Sequence, residues 1–246
     1  MPTASLLDRF LEELLPLRPR ALWAHGSLAG GDYQEGRSDL DLIAVLPGPV
    51  RLGTVRRVVA VHRRLRTLPL AAKLHCSYLT PAVLDAPDRS HLTWAHGHVM
   101  RRPVTPVTRR ELHDFGRVLH GEPPAGLLPA VPERQLSDFV VRDQRDYWRP
   151  AVDKARLWRQ DVWVDLGLLT FARATVTLRD GRLISKREAL AGLPALGAPA
   201  EVVADITRRR YDDAPAPAVQ DWLARRAELT RAYLGPAIDA LVTTYG

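Results

Sequence analysis

Hydrophobic residues in the first 80 positions alternate between helical and strand-like spacing. Apolar side chains fall on one stripe of residues 5–17 and again of residues 54–66, which predicts two amphipathic helices. Three shorter apolar runs, over residues 21–25, 39–46 and 72–79, stand next to glycine or proline, which is typical of strands. The pattern therefore predicts helix, strand, strand, helix and strand in that order.

The second half of the chain has mainly helical spacing. A helix predicted over residues 109–120 is followed by the proline- and glycine-rich segment 121–132, which is the best candidate for a domain boundary. We therefore expect two domains, an α/β domain over residues 1–130 and an all-helical domain over residues 131–246. Helices of the second domain are predicted over residues 133–148, 151–178, 186–191, 199–211 and 218–245.

Composition places the chain among globular proteins. Of its 246 residues, 46% are hydrophobic and 26% are charged, which supplies enough apolar material for a buried core. No run reaches the ~18 consecutive apolar residues of a membrane-spanning helix. Acidic residues interrupt the apolar start of the chain, so a cleaved leader is not expected either. The single cysteine, Cys76, excludes an intramolecular disulfide and a multi-cysteine zinc site. We expect a cytoplasmic, monomeric protein.

The chain carries an excess of basic residues. Lysine and arginine number 35 against 28 acidic residues, which gives a net charge of +7, and only residues 73, 154 and 186 are lysines. An arginine bias commonly reflects the coding composition of a genome, and it also suits anionic partners such as phosphate. The charge alone is a weak argument for nucleic acid as a partner.

The strongest chemical signal joins a glycine–serine corner to a pair of aspartates. Gly26 and Ser27 follow the first predicted strand, where glycine allows close backbone approach and serine offers a hydroxyl and an N–H to a phosphate. Asp39 and Asp41 are two positions apart on the second predicted strand, so both carboxylates point to the same face. Magnesium prefers such oxygen ligands and leaves places for water and phosphate. With the hydroxyl of Ser38, these residues predict a site for a nucleoside triphosphate and its metal.

Two stretches of the sequence resemble known enzymes. The chain resembles the nucleotidyltransferase superfamily at its signature, which here reads Ala-His-Gly-Ser at 24–27 followed by Asp-Leu-Asp-Leu at 39–42. The second half of the chain resembles the helical domain of aminoglycoside adenylyltransferases of the streptomycin and spectinomycin type. The resemblance lies in Leu-Thr-Phe-Ala-Arg at 169–173, Gly-Arg-Leu at 181–183 and Lys186. This resemblance implies an α+β fold, in which a polymerase beta-like nucleotidyltransferase domain with a mixed sheet and helices precedes an all-helical C-terminal domain.

The resemblance also implies an activity. It implies an enzyme that transfers AMP from ATP to a hydroxyl of a small molecule, with an aminoglycoside-like acceptor and a role in antibiotic resistance. The cofactor would be Mg²⁺, held by Asp39 and Asp41. Transfer to RNA or to a protein is the alternative that the basic charge leaves open. The remaining residues implied to contact the nucleotide are Gly26, Ser27 and Ser38 around the triphosphate, Arg173 and Lys186 on its β- and γ-phosphates, and Tyr211.

The sequence departs from the family pattern at the third acid. These enzymes place that acid on a neighbouring strand, as a metal ligand or as the base that activates the acceptor, but no Asp or Glu occurs between Asp41 and Asp85. Lys73 or His75 stands where it is expected. Three explanations stay open. His75 is itself the base, since an imidazole pKa of ~6.5 suits that work; or Asp85 or Asp88 supplies the acid; or the protein binds nucleotide with weak or no transfer.

Aromatic residues outside these motifs have two interpretations. Trp94 lies in the histidine-rich stretch 91–98 and is interpreted as a core residue, with stacking on a flat or sugar-like acceptor as the alternative. The histidines are interpreted as surface or substrate-lining residues rather than metal ligands. In the second half, acids stand beside tryptophans, which either suits a polycationic acceptor or reflects helix packing. The residues of that second group are Trp148, Trp158 and Trp163 with Asp153, Asp161 and Asp165.

Overall fold

Within the described residues, strands and helices alternate up to residue 131 and helices alone follow. The computed structural model describes residues 2–84, 86, 89–212 and 219–246. Contacts between Cα atoms divide the chain into two units, Met1–Val131 and Pro132–Gly246. The α+β fold class is confirmed, because the first unit holds a mixed sheet and the second is helical. None of the described helices is both long enough and apolar enough to cross a bilayer.

One mixed sheet organises the first unit. Its strands are β1 (Ala21–Ala24), β2 (Leu40–Val45), β3 (Leu74–Leu79), β4 (Ser90–Ala95), β5 (His98–Pro103) and β6 (Arg117–Gly121). Their order across the sheet is β5-β4-β3-β2-β1-β6. β2 and β3 are parallel, whereas all the other neighbours are antiparallel. The parallel pair sets Asp41 opposite His75 in the register.

Helices of the first unit cover both faces of this sheet. Phe10, Leu42 and Val58 belong to a buried core on one face, and Trp23 and Ile43 belong to a second core on the other. Successive side chains of a strand point to opposite faces, so Asp41 lies on the side of the second core. The helices are α1 (Pro2–Leu14), α2 (Gly26–Ala29), α3 (Leu52–Leu65), α4 (Pro106–Phe115) and α5 (Pro124–Leu127).

The helix predicted over residues 109–120 is wrong at its C-terminal end. α4 stops at Phe115, and the next residues form β6, which pairs with β1 at the edge of the sheet. Gly116 allows this change because a Cβ there would lie 2.4 Å from the carbonyl oxygen of Leu112. Trp23 holds the far end of β6 by donating an indole hydrogen bond of 2.7 Å to the carbonyl of Glu122.

The histidine-rich stretch 91–98 forms the hairpin of β4 and β5, which the sequence pattern did not predict. His96 and Gly97 make its turn with positive φ angles of 53° and 78°, as a two-residue hairpin requires. Trp94 packs on the first core, with its ring stacked 4.6 Å from that of His62. The core interpretation of Trp94 is therefore confirmed, whereas His91 is buried rather than a surface residue.

The second unit consists of helices that differ from the predicted ones at one break. The helix predicted over residues 151–178 is interrupted, because the chain folds back and buries Trp158 against Gly167. The indole of Trp158 donates a hydrogen bond of 2.8 Å to the carbonyl of Ala151. The helices are α6 (Glu133–Asp143), a π-helical turn (Gln144–Trp148), α7 (Arg149–Val152), α8 (Asp161–Asp180), α9 (Lys186–Gly192), α10 (Ala200–Tyr211) and α11 (Gln220–Tyr245).

Acids of the second unit pair with arginines of the same unit. Asp161 lies 2.6 Å from Arg226, and Asp165 lies 2.6 Å from Arg209. Both arginines also bind Asp205, which is almost fully buried. Buried charges are tolerated where they are paired and hydrogen-bonded in this way. These ion pairs fit the packing interpretation of Asp161 and Asp165.

Two titratable side chains are enclosed in the core beside α1 and α3. Burial, with a smaller electrostatic contribution from His75, lowers the pKa of His62 to about 3. Its Nε2 lies 2.7 Å from the hydroxyl of Tyr78, so the neutral ring keeps a hydrogen-bond partner. Burial likewise raises the pKa of the Cys76 thiol to about 12. Both groups are neutral in the folded protein at pH 7.

The buried His62 predicts a specific loss of stability in acid. The unfolded chain takes up a proton near pH 6.5 but the folded core does not until about pH 3, so the free energy of unfolding falls as the pH drops through this range. At pH 4 the loss is roughly 3 kcal/mol. We expect His62→Gln, which can still hydrogen-bond Tyr78, to lose less between pH 7 and pH 4 in urea denaturation. Equal losses in the two proteins would contradict this assignment.

Candidate active site

The paired aspartates stand at the start of β2. Asp39 directly precedes the strand, and Asp41 is its second residue, with the buried Leu40 between them. The two side chains are 42% and 37% exposed, so both carboxylates are open to a ligand from solution. Side chains alternate along the strand, so Leu40 points into the first core and both acids point to the opposite face of the sheet.

The glycine–serine corner lies against Asp41. The backbone N–H of His25, the residue after β1, donates a hydrogen bond of 3.0 Å to the carbonyl of Asp41. Gly26 then has a positive φ of 61°, and a Cβ on it would lie 3.0 Å from Oδ2 of Asp41. Glycine is thus required there by both conformation and close approach. The following residue, Ser27, is half-buried beside this contact.

Ser38, which is predicted to contact the triphosphate, is also hydrogen-bonded within its own turn. Its Oγ accepts a hydrogen bond of 3.0 Å from the backbone N–H of Gln34, and its own N–H donates to the carbonyl of Gln34 at 2.8 Å. These bonds close the turn that delivers the chain to Asp39. The hydroxyl therefore helps to fix the position at which the pair of carboxylates begins.

Two basic side chains of β3 and its leading turn face the aspartates. His75 Nδ1 lies 3.7 Å from Oδ1 of Asp41 and 3.9 Å from Oδ2 of Asp39. Lys73 Nζ lies 3.6 Å from Oδ1 of Asp39 and donates a hydrogen bond of 3.0 Å to the carbonyl of Arg37. The Nε2 atom of His75 is buried, with no hydrogen-bond partner among the described residues. The position expected for a third acid is thus occupied by basic groups.

Glu111 is an acid that lies near the paired aspartates, far from them in the sequence. It is buried on α4, and its Oε2 lies 3.2 Å from Nδ1 of His25. Burial lowers the pKa of His25, but the hydrogen bond with Glu111 and the charge of Asp41 outweigh it, so the pKa is raised above 6.5. Glu111 lies outside every motif, and only the pairing of distant residues in the fold brings it to this corner.

A small polar cavity adjoins the aspartates within the first unit. Its volume is about 140 Å³. Ser77 and Thr93 form part of its wall, with their hydroxyl oxygens 2.9 Å apart. Its lining also includes His25, Asp41, His75, Arg102 and Thr108. A cavity with hydroxyl, imidazole, carboxylate and guanidinium groups suits a polar, hydroxylated ligand.

The donor set around Asp39 and Asp41 fits a magnesium ion that keeps other ligands. Two open carboxylates supply hard oxygen atoms, and Mg²⁺ usually completes its octahedron with water and phosphate oxygens. Among the described residues no three His, Cys, Asp or Glu side chains form a metal-binding group. Asp85 and Asp88, considered above as a third acid, lie outside the described residues.

The candidate phosphate-binding residues of the second unit lie close to one another. Arg173 on α8 donates a hydrogen bond of 2.9 Å to the carbonyl of Ile184, two residues before Lys186 at the start of α9. Arg187, the next residue, places its guanidinium 4.1 Å from the ring centre of Tyr211 at the end of α10. The fold of this unit therefore gathers Arg173, Lys186 and Tyr211 at neighbouring positions.

The class of the first unit follows from its site and from a family match. Residues 5–91, which include the corner, the two aspartates and β3, match the model of the nucleotidyltransferase domain family. The first unit thus contains a nucleotidyltransferase domain, and the superfamily resemblance seen in the sequence is confirmed.

A solved structure extends the likeness to the whole chain. The crystal structure of spectinomycin adenyltransferase AAD(9) from Enterococcus faecialis, with ATP and spectinomycin, matches with a TM-score of 0.72. The match covers 96% of this chain and 99% of that one at 14% sequence identity, which establishes a shared fold. No curated protein sequence matches the chain. The chain therefore combines a match to the nucleotidyltransferase domain family over residues 5–91 with the overall fold of this adenyltransferase.

The close approach at Gly26 yields a prediction with an internal control. We expect Gly26→Ala and Gly31→Ala each to lower the free energy of unfolding by about 1 kcal/mol, because both positions have a positive φ. Only at Gly26 would the new methyl group displace the Asp41 carboxylate, since nothing lies within 4 Å of a Cβ at Gly31. Gly26→Ala should therefore also weaken Mn²⁺–nucleotide binding in calorimetry, whereas Gly31→Ala should not. Equal weakening in both variants would disprove this role of Gly26.

Proposed function

We propose that the protein is a magnesium-dependent adenylyltransferase, which moves AMP from ATP to a hydroxyl of a small, aminoglycoside-like molecule. The observation that carries the proposal is the pair of open carboxylates, Asp39 and Asp41, against the Gly26–Ser27 corner of a nucleotidyltransferase domain. Support for the substrates comes from the matching fold of an adenyltransferase whose structure contains ATP and spectinomycin.

The residues of the first unit have distinct roles in this proposal. Asp39 and Asp41 hold the metal, which when bound would neutralise phosphate charge and favour in-line displacement. The glycine at 26 lets the triphosphate approach the backbone, and the hydroxyl of Ser27 hydrogen-bonds it. Ser38 fixes the turn before Asp39 and presents its hydroxyl on the same side.

The transfer itself requires a proton acceptor. The acceptor hydroxyl oxygen attacks the α-phosphorus of ATP, the bond to the β-phosphate oxygen breaks, and pyrophosphate leaves with that electron pair. His75 is the proposed base, because its ring stands beside both aspartates and lines the polar cavity in which an acceptor hydroxyl would lie. The same cavity, with Ser77 and Thr93 in its wall, suits the ring hydroxyls of an aminoglycoside.

The second unit contributes cations in this proposal. Arg173 and Lys186 bind the β- and γ-phosphates, and Tyr211 contacts the nucleotide. The hydrogen bond from Arg173 to Ile184 supports this arrangement, since it holds the arginine near the segment that carries Lys186. A guanidinium and an ammonium together suit a polyphosphate chain, because each donates charge-assisted hydrogen bonds.

Replacement of the aspartates tests the proposed reaction. We expect Asp39→Asn and Asp41→Asn each to reduce AMP transfer from α-³²P-labelled ATP to streptomycin or spectinomycin by roughly a hundredfold or more, since the metal's charge stabilisation is worth several kcal/mol. Asp114→Asn is the matched control, because Asp114 is similarly exposed at 38% but pairs with Arg110 on the surface of α4.

Two outcomes would contradict the proposed function. Unchanged transfer in the two variants would remove Asp39 and Asp41 from the reaction. Binding of ATP and magnesium by the natural protein, with no transfer to any member of an aminoglycoside panel, would favour a nucleotide-binding module instead. The absence of a third acid among the described residues beside the pair gives that second outcome its physical basis.

The lysine of α9 provides a separate prediction on nucleotide binding. We expect Lys186→Met to raise the KM for ATP by roughly tenfold or more, because a hydrogen bond from a charged donor is worth about 1.5–3 kcal/mol. Lys154→Met removes the same charge from an exposed position between α7 and α8 and should leave the KM unchanged. Steady-state kinetics at saturating acceptor distinguishes the two. Similar kinetics for both variants would exclude Lys186 from the phosphate site.

A further inference from the structure

Lys73 is a fixed cation beside the metal-binding carboxylates. It ends the 3₁₀ turn Ala71–Lys73 that leads into β3. Its ammonium is tied to the carbonyl of Arg37 by a hydrogen bond of 3.0 Å while lying 3.6 Å from Oδ1 of Asp39. Since Arg37 and Asp39 belong to the same short segment before β2, these two contacts hold the ammonium next to the carboxylate.

The site also lacks negative charge on the neighbouring strand. His75 is the register partner of Asp41, and its Nδ1 faces both aspartates at 3.7 and 3.9 Å. The charged side chains that face each other across β2 and β3 here are the two carboxylates and the Lys73 ammonium. No third acidic or imidazole ligand completes a metal-binding group among the described residues. Two divalent cations would thus meet one fixed positive charge and only two carboxylates.

We propose that the Lys73 ammonium occupies the place of a second divalent cation, so that the site binds one metal ion with each nucleotide. This inference rests on the proposed function and specifies its cofactor requirement. Two-metal sites hold their ions ~3.5–4 Å apart between shared ligands. An ammonium 3.6 Å from a carboxylate oxygen of Asp39 would repel a second ion that shared this oxygen as a ligand.

The number of bound ions is measured directly by electron paramagnetic resonance. Free Mn²⁺, a spectroscopic substitute for Mg²⁺, is titrated against the full-length protein saturated with α,β-methylene-ATP, which cannot undergo transfer. We expect one Mn²⁺ per protein–nucleotide complex.

Substitutions at the two basic positions should change this number. We expect Lys73→Met to bind Mn²⁺ roughly tenfold more tightly, because removal of the ammonium removes its repulsion of a divalent cation. The double variant Lys73→Met, His75→Glu supplies a third carboxylate opposite Asp41 and should bind a second Mn²⁺. Lys154→Met is the charge-matched control and should match the natural protein. Near-ultraviolet circular dichroism establishes that each variant is folded.

Each outcome decides the proposal. Two ions or none in the natural protein would overturn it, as would equal Mn²⁺ affinity in Lys73→Met and Lys154→Met. If the double variant does not fold, the single-variant comparison and the ion count still decide. AMP transfer is measured separately with ATP in place of the analogue. No transfer, with one Mn²⁺ counted per complex, would reject the proposed adenylyl transfer alone, whereas transfer with two ions counted would reject this inference alone.

Discussion

The site depends on the pairing of two parallel strands in an otherwise antiparallel sheet. Because β2 and β3 run in the same direction, their first residues lie at one edge, and Asp41 stands opposite His75. The apolar residues between the site residues anchor both strands in the core beneath. A shift of one residue in either strand would turn a carboxylate or an imidazole into that core. The register of the apolar residues therefore also determines which polar side chains face the site.

The sequence predicted the parts of this arrangement that are local. The glycine–serine corner and the Asp-Leu-Asp spacing are contiguous, so the strand period alone places their side chains. By contrast, Glu111 reaches His25 across 86 positions of sequence, and no local pattern encodes that contact. The edge strand β6 was also missed, because the residues after Gly116 continue a helical pattern of polar and apolar positions and only pairing with β1 makes them a strand.

Charge balance distinguishes this nucleotidyltransferase domain from the family pattern that its sequence resembles. Lysine and histidine stand where an acid is expected, and each lies within 4 Å of an aspartate oxygen. Elsewhere the chain also satisfies its buried charges internally, as Asp205 shows with its three arginine partners. Asp161 and Asp165, two of the acids beside tryptophans, likewise pair with arginines of the helical unit, which fits helix packing.

The enclosed thiol has a practical consequence for experiments on this protein. Cys76 is the chain's sole cysteine, and it is fully buried with its pKa raised to about 12. Since the thiolate is the form that reacts, we expect maleimide and methanethiosulfonate reagents not to modify Cys76 in the native state. A fluorophore or nitroxide can therefore be attached at any newly introduced surface cysteine without first removing the natural one.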